Sequence, residues 1–270
     1  MNKLPPDSTD RPESEGSDFL RRVQAVEALC AEHTERHVPN MGKVVPELPK
    51  HLGTVLSQLY RMGTCSWGCR GGDHVVEYMV ARSCSTALAA LSLMRHGYYD
   101  EALALARNVG EAANLLTLFS RDAQSFEKWR SANENVRKRE FAPVKVRLKL
   151  ETLGLNDLGL VREERYRQLS VIGTHQSPAA KPQAYNPLEQ PTLGTVFQDL
   201  GVVVALNEIS TAIGFLAPPA AQLLAVPPDR WKDMKESVID LLSSVGAIHA
   251  VDLDRVKQMI RVALNFTPTH

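Results

Sequence analysis

Residues 95–121, RHGYYDEALALARNVGEAANLLTLFSR, constrain the chain more than any other stretch. Leu103, Leu105, Val109, Leu115, Leu116, Leu118 and Phe119 fall on nearly every side of a 3.6-residue period, with Ala102, Ala106, Ala112 and Ala113 between them. A helix apolar almost all round must be enclosed by other helices. The break at Gly97-Tyr98-Tyr99 makes Asp100 the expected N-cap, with Glu101 favourable in the first turn. One narrow stripe interrupts the apolar surface: Arg107, Glu111 and Asn114, at i, i+4 and i+7. Leu103 and Leu118 extend that stripe at its two ends, so it is not an ordinary wet face. A charge placed there needs a partner, because an unpaired buried charge costs several kcal/mol. The simplest reading pairs Arg107 with Glu111, or each with a neighbouring helix, and gives the pair a packing role.

The flanking segments extend the helical pattern. Residues 18–37 read as a first helix, 46–62 as a second and 74–94 as a third. Small residues on the third helix allow close approach to the central one, and the Gly97 break makes the two an antiparallel hairpin. Asp122 starts a further helix anchored by Trp129, and Pro143 suits the first turn of another that ends near Leu153. Residues 159–173 read as helical, 176–191 as a long Pro-rich surface loop and 192–216 as a second central helix. A short helical piece follows Pro218-Pro219, and then come helices over 229–245 and 252–264. No stretch carries a strand signal. The fold expected is all-α, a bundle of eight to ten helices without significant sheet. Residues 1–17 are expected to be a disordered tail. Residues 18–270 are expected to form one domain, with its core in 75–215 and C-terminal helices in 228–265.

Composition narrows the function classes. The formal net charge is zero over 270 residues, so no global field draws the chain to nucleic acid or anionic membrane. Four unevenly spaced cysteines and a polar, Pro-rich N-terminus suggest a reducing, cytoplasmic setting. The uncharged run 209–228 could span a bilayer by length, but Pro218-Pro219 at its middle favours two packed core helices, and no membrane association is expected. Residues 128–149 are markedly basic. Such a run can contact RNA phosphates and is more often a solvated face.

Established chemical motifs are missing. There is no G-x-S-x-G, no H-E-x-x-H and no phosphate loop. His33 and His37 share a helical face, but Thr34 stands where a zinc protease needs Glu. Cys65, Cys69, His74 and Cys84 follow no common structural zinc spacing. No metal and no cofactor is therefore expected. Tyr166 and Ser170 lie one turn apart, and His175 falls at the C-terminal end of their helix.

The pattern G-Y-Y-D-E-A-L-x-L-x-R-x3-E over 97–111, followed by Tyr166-x3-Ser170-x4-His175, resembles a broad set of uncharacterised bacterial all-helical proteins. These have an Arg and a Glu one turn apart on a central helix and a Tyr-Ser-His segment downstream. The resemblance covers residues 75–215 and extends distantly to the HEPN-type bundles of prokaryotic toxins and phage-defence proteins. It implies a helical interaction or sensor protein of a bacterial defence or toxin-type system, and the apolar C-terminal helices add the expectation of a homo-oligomer or a protein partner. The alternative it implies is a metal-independent ribonuclease. There His175 would be general acid/base, Arg107 would hold phosphate and Glu111 would orient Arg107. Asn114, Tyr166 and Ser170 would complete the binding set. HEPN ribonucleases carry Arg, four to six residues, then His, and none of the eight histidines here has an Arg at that distance before it.

Overall fold

The computed structural model describes residues 12–68, 72–155, 169 and 195–249. Those residues form nine α-helices and no strand, the all-helical bundle expected. The helices are α1 (Pro12–His37), α2 (Leu48–Gly63), α3 (Val75–Arg95), α4 (Tyr99–Arg121), α5 (Ala123–Ser131), α6 (Glu134–Glu140), α7 (Pro143–Thr152), α8 (Asp199–Leu223) and α9 (Pro228–His249). Short 3-10 turns at Val38–Asn40 and Val45–Glu47 join α1 to α2.

The first helix begins at Pro12, inside the stretch expected to be a tail. Proline is well suited to a first helical position, where its missing N–H costs nothing. Residues 1–11, the rest of that stretch, lie outside the described residues, as do 252–264 and most of 159–191.

Helix α4 is the hub and packs on α3, α5, α7 and, most extensively, α8. Its start differs from expectation. Gly97 takes φ +86°, its N–H bonds the Met94 carbonyl at 3.1 Å, and the Tyr98 N–H bonds the Leu93 carbonyl at 2.9 Å. This is a Schellman end to α3, for which a left-handed residue is needed. The chain leaves it at Tyr98, which caps α4, so Asp100 falls inside the first turn rather than before it. A Cβ at Gly97 would also stand 2.9 Å from both Cys30 Sγ and the Val196 nitrogen. Helix α1, the α3–α4 turn and the approach to α8 therefore meet at this glycine.

Tyr99 is completely buried, and its hydroxyl accepts the Gln198 N–H at 3.0 Å. A Cβ on Gly201 would lie 2.5 Å from its ring, so α8 can cross here only on a glycine. Burial raises the Tyr99 hydroxyl pKa, and it pushes the Cys30 thiol up to about 11 despite hydrogen bonds with Tyr99 and Thr34.

Helix α8 corrects two expectations. It starts at Asp199, after non-helical residues 195–198 that end on an extended Gln198, and it runs unbroken through Pro218-Pro219 to Leu223. The separate short helix expected after the prolines is absent. Proline removes a donor and crowds the carbonyl four residues back, here Gly214 and Phe215. Every residue from Ile209 to Ala221 is buried, and that enclosure outweighs the local cost. The helix is long and apolar enough to cross a membrane, yet 78% of its most apolar window is buried inside the fold.

The remaining helices close the bundle. Helix α9 seats Met234, Val238, Leu241 and Leu242 between α2 and α8. It is tied to α2 by Gln58 Nε2 donating to Ser237 Oγ at 3.1 Å and by His51 Nδ1 at 3.0 Å from Ser244 Oγ. At the other end, Phe119 sits among Phe126, Trp129 and Phe141 at ring separations of 5.1, 5.2 and 6.3 Å. Asp122 caps α5 by accepting the Gln124 and Ser125 N–H groups, and Pro143 opens α7, both as expected. Hydrogen bonds from the Ser125 side chain and backbone hold the Asp122 carboxyl below its ordinary pKa.

Candidate functional sites

The polar stripe on α4 is an ion pair at the margin of the core. An Arg107 guanidinium nitrogen stands 3.0 Å from Glu111 Oε1, with side chains 13% and 23% exposed, and Asn114 is buried beside them. One turn before Arg107, the fully buried Leu103 packs with Leu169 and Val204. Leu169 is the one described residue of the segment expected to carry the downstream partners. Tyr166, Ser170 and His175 themselves lie outside the described residues. Leu169 therefore touches α4 at the N-terminal end of the stripe.

A second pair of the same design lies on α7. Arg147, 9% exposed, is bonded to Glu151 one turn later, and α7 packs on α4. The i, i+4 spacing was visible in the sequence, but Arg147 was counted there only as part of a basic run. A guanidinium and a carboxylate so placed pair within one helix, which offsets part of the cost of holding each charge away from water.

The basic run 128–149 is divided among α5, α6 and α7, and much of its charge is met internally. Lys128 and Arg139 both pair with Glu140, which holds that carboxyl below its ordinary pKa. Arg130 pairs with Asp73 at 3.1 Å and Glu127 at 2.8 Å. Arg137 lies 5.4 Å over Trp129, and Lys149 lies 4.5 Å over Phe141.

A groove of about 950 Å³ opens along α2, walled by α3, by the loop after α2 and by the start of α9. Leu52, Leu56, Leu88 and Leu91 give it an apolar lining, and Tyr60 and Trp67 flank it. Tyr60 is 62% exposed and Leu88 55%. Among the described residues, the charged ones in the lining are Arg61 and Arg230. Gly53 sits in the middle of α2 on this groove, and a Cβ added there would meet nothing within 4 Å. A mid-helix glycine costs about 1 kcal/mol relative to alanine, and no internal contact at Gly53 requires it. The sequence signal for this site was faint: Gly53 reads as a weak point in a helix and Tyr60 as an ordinary surface aromatic.

A third cluster joins the end of α2 to the start of α3. Cys65 Sγ lies 3.6 Å from His74 Nδ1, and Glu77 Oε1 lies 3.7 Å from the same nitrogen. The three donor atoms fall within 4.8 Å of one another. Cys65 and His74 both have left-handed backbones, at φ 56° and 50°, which non-glycine residues rarely adopt. This is not the set weighed from the sequence. Cys84 is buried farther along α3 and is not in the group, its thiol pushed up to about 11 by burial. Cys69 lies outside the described residues, and Glu77 was not among the candidates. Glu77 escaped notice because a glutamate in a first helical turn is ordinarily explained by the helix dipole. His33 and His37, the other pair considered, stack 5.8 Å apart against Phe197.

Comparison of the chain with family models, with curated proteins and with solved structures gives no match in any of the three.

Proposed function

We propose that this protein is a helical interaction subunit without catalytic activity, whose groove along α2 receives an amphipathic helix from a protein partner. The carrying observation is Gly53. It lies on an apolar groove, spends helix stability for no internal contact and leaves room for a close approach. The occupant's chemistry follows from the lining. Apolar side chains at i, i+3 or i+4, and i+7 would meet the leucines, and carboxylates at the flanks would meet Arg61 and Arg230. Tyr60 and the arginines are exposed and Trp67 half-buried, and tyrosine, tryptophan and arginine are the side chains that dominate binding energy at interfaces. The family resemblance supplies a context, a sensor in a bacterial defence or toxin-type system, and the groove supplies a mode of engagement.

The test uses a labelled synthetic amphipathic helix with a leucine face and glutamate flanks, read by fluorescence anisotropy. Binding is expected to weaken more than about tenfold with Gly53→Leu, which fills the groove, and with Arg61→Glu/Arg230→Glu. Gly53→Leu should keep or raise the melting temperature, because leucine is the better helix former. Equal binding of a lysine-flanked or scrambled peptide, or full binding by Gly53→Leu, would refute the reading.

A second reading has one observation in its favour. Leu169, six residues before His175, packs on Leu103, which lies one turn before Arg107. In a metal-independent ribonuclease His175 would move the proton and Arg107 would hold the phosphate. Expression in cells should then degrade RNA, and His175→Ala or Arg107→Ala should abolish the degradation while the protein stays folded. RNA that remains intact with the unaltered chain rejects this reading.

A further inference from the structure

We infer that Cys65, His74 and Glu77 form a zinc site that clips the end of α2 to the start of α3. Three observations lead there.

First, the spacing suits a metal. Tetrahedral zinc, with bonds of about 2.3 Å to sulfur and about 2.0–2.1 Å to nitrogen and oxygen, separates a sulfur and a nitrogen ligand by about 3.5 Å and a nitrogen and an oxygen ligand by about 3.4 Å. The corresponding distances are 3.6 and 3.7 Å. The third pair, Cys65 Sγ and Glu77 Oε1, lies within 4.8 Å, so seating the ion draws thiol and carboxylate toward each other while the other two distances close by a few tenths of an ångström.

Second, Glu77 is 5% exposed, and its Oε1 accepts no hydrogen bond. His74 Nδ1, at 3.7 Å, is beyond hydrogen-bonding reach. A buried carboxylate oxygen aimed at a thiol and an imidazole is costly unless something cationic joins them.

Third, the ring geometry argues against the other chemistry these residue types suggest. In a nucleophilic triad the histidine meets the nucleophile through one ring nitrogen and the orienting acid through the other. Here Sγ and Oε1 both face Nδ1, an arrangement that serves one shared ion and not a proton relay.

The donor set selects the metal. A thiolate disfavours calcium and magnesium, and a mixed sulfur, imidazole and carboxylate set suits zinc. On binding, the Cys65 thiol releases its proton to solvent, and thiolate and carboxylate together balance the two positive charges of the ion.

The test is metal analysis of the purified full-length chain, followed by chelation and titration with cobalt(II), whose thiolate charge-transfer band reports sulfur ligation. About one equivalent of zinc is expected in the unaltered protein and in Cys84→Ala, whose thiol is outside the cluster. Cobalt affinity should fall at least about tenfold in Cys65→Ser and in Glu77→Gln. Chelation should lower the melting temperature of the unaltered protein and leave that of Cys65→Ser unchanged. Substoichiometric zinc with no cobalt band, or affinity unchanged in either variant, overturns the inference. Cys65 is partly exposed beyond the end of α2, so Cys65→Ser remains informative even if Glu77→Gln loses helicity.

Discussion

Tyr99→Ala is expected to lower the free energy of unfolding by about 4 kcal/mol, within the range for emptying a fully buried aromatic site. The ring is completely enclosed and lies where α4, α1 and the start of α8 converge. Its removal leaves a cavity that the flanking glycines cannot fill, because Gly201 already sits against the ring and Gly97 against Cys30 and Val196. It also strips the Gln198 N–H of its acceptor. Tyr99→Phe separates the two contributions. It keeps the packing and loses the hydroxyl's bonds to the Gln198 N–H and to Cys30, for an expected cost of about 1–3 kcal/mol. Urea unfolding followed by circular dichroism measures both. A double variant gives a sharper check. Gly201→Ala should be destabilising in the Tyr99 background, where the new methyl would strike the ring, and close to neutral alongside Tyr99→Ala. An additive cycle, or a Tyr99→Ala cost below about 1 kcal/mol, contradicts the packing described.

Phe119→Ala should cost a similar amount, about 3–5 kcal/mol, with a different spatial signature. Phe119 is the shared partner of Phe126, Trp129 and Phe141, so it fastens α5, α6 and α7 to the end of α4. Those three helices are short, at 9, 7 and 10 residues. Isolated helices of such length are marginal in water, so their order depends on this packing. Trypsin should therefore cut first at Arg137, Lys138 and Arg139, well before the rest of the bundle opens. Hydrogen exchange should show α8 still protected. Uniform cleavage along the chain would mean that the aromatic cluster is not a separable anchor.

Much of the fold was legible because helical periodicity is a local property. Residues 75–95, 99–121 and 143–152 were all located to within a few positions by apolar spacing, a glycine break and a first-turn proline. The failures share one cause. Pro218-Pro219 ends a helix by local rules, but the enclosure of α8 by α2, α3, α4 and α9 keeps it going. Asp100 is the better cap by residue type, yet the Schellman turn at Gly97 fixes where α4 begins. The Arg107–Glu111 pairing was readable from an i, i+4 spacing, and it formed. Glu77 and Gly53 were not readable as site residues. Glu77 stands three residues after His74, but a first-turn glutamate has an ordinary explanation in the helix dipole, and the groove beside Gly53 is closed by residues as far along the chain as Arg230, of which spacing along α2 carries no trace.

The bond between Tyr99 and Gln198 joins positions 99 residues apart, and the pairing of α4 with α8 has the same reach. During synthesis α4 therefore emerges long before its main partner exists. At about 5–20 residues per second, the ribosome needs about 5–20 s to supply the missing helix. Throughout that interval α3, α5 and α7 can cover parts of the hub, but the face that α8 will fill stays open. A nascent chain of this design therefore holds an apolar face open to association with other chains until α8 is made.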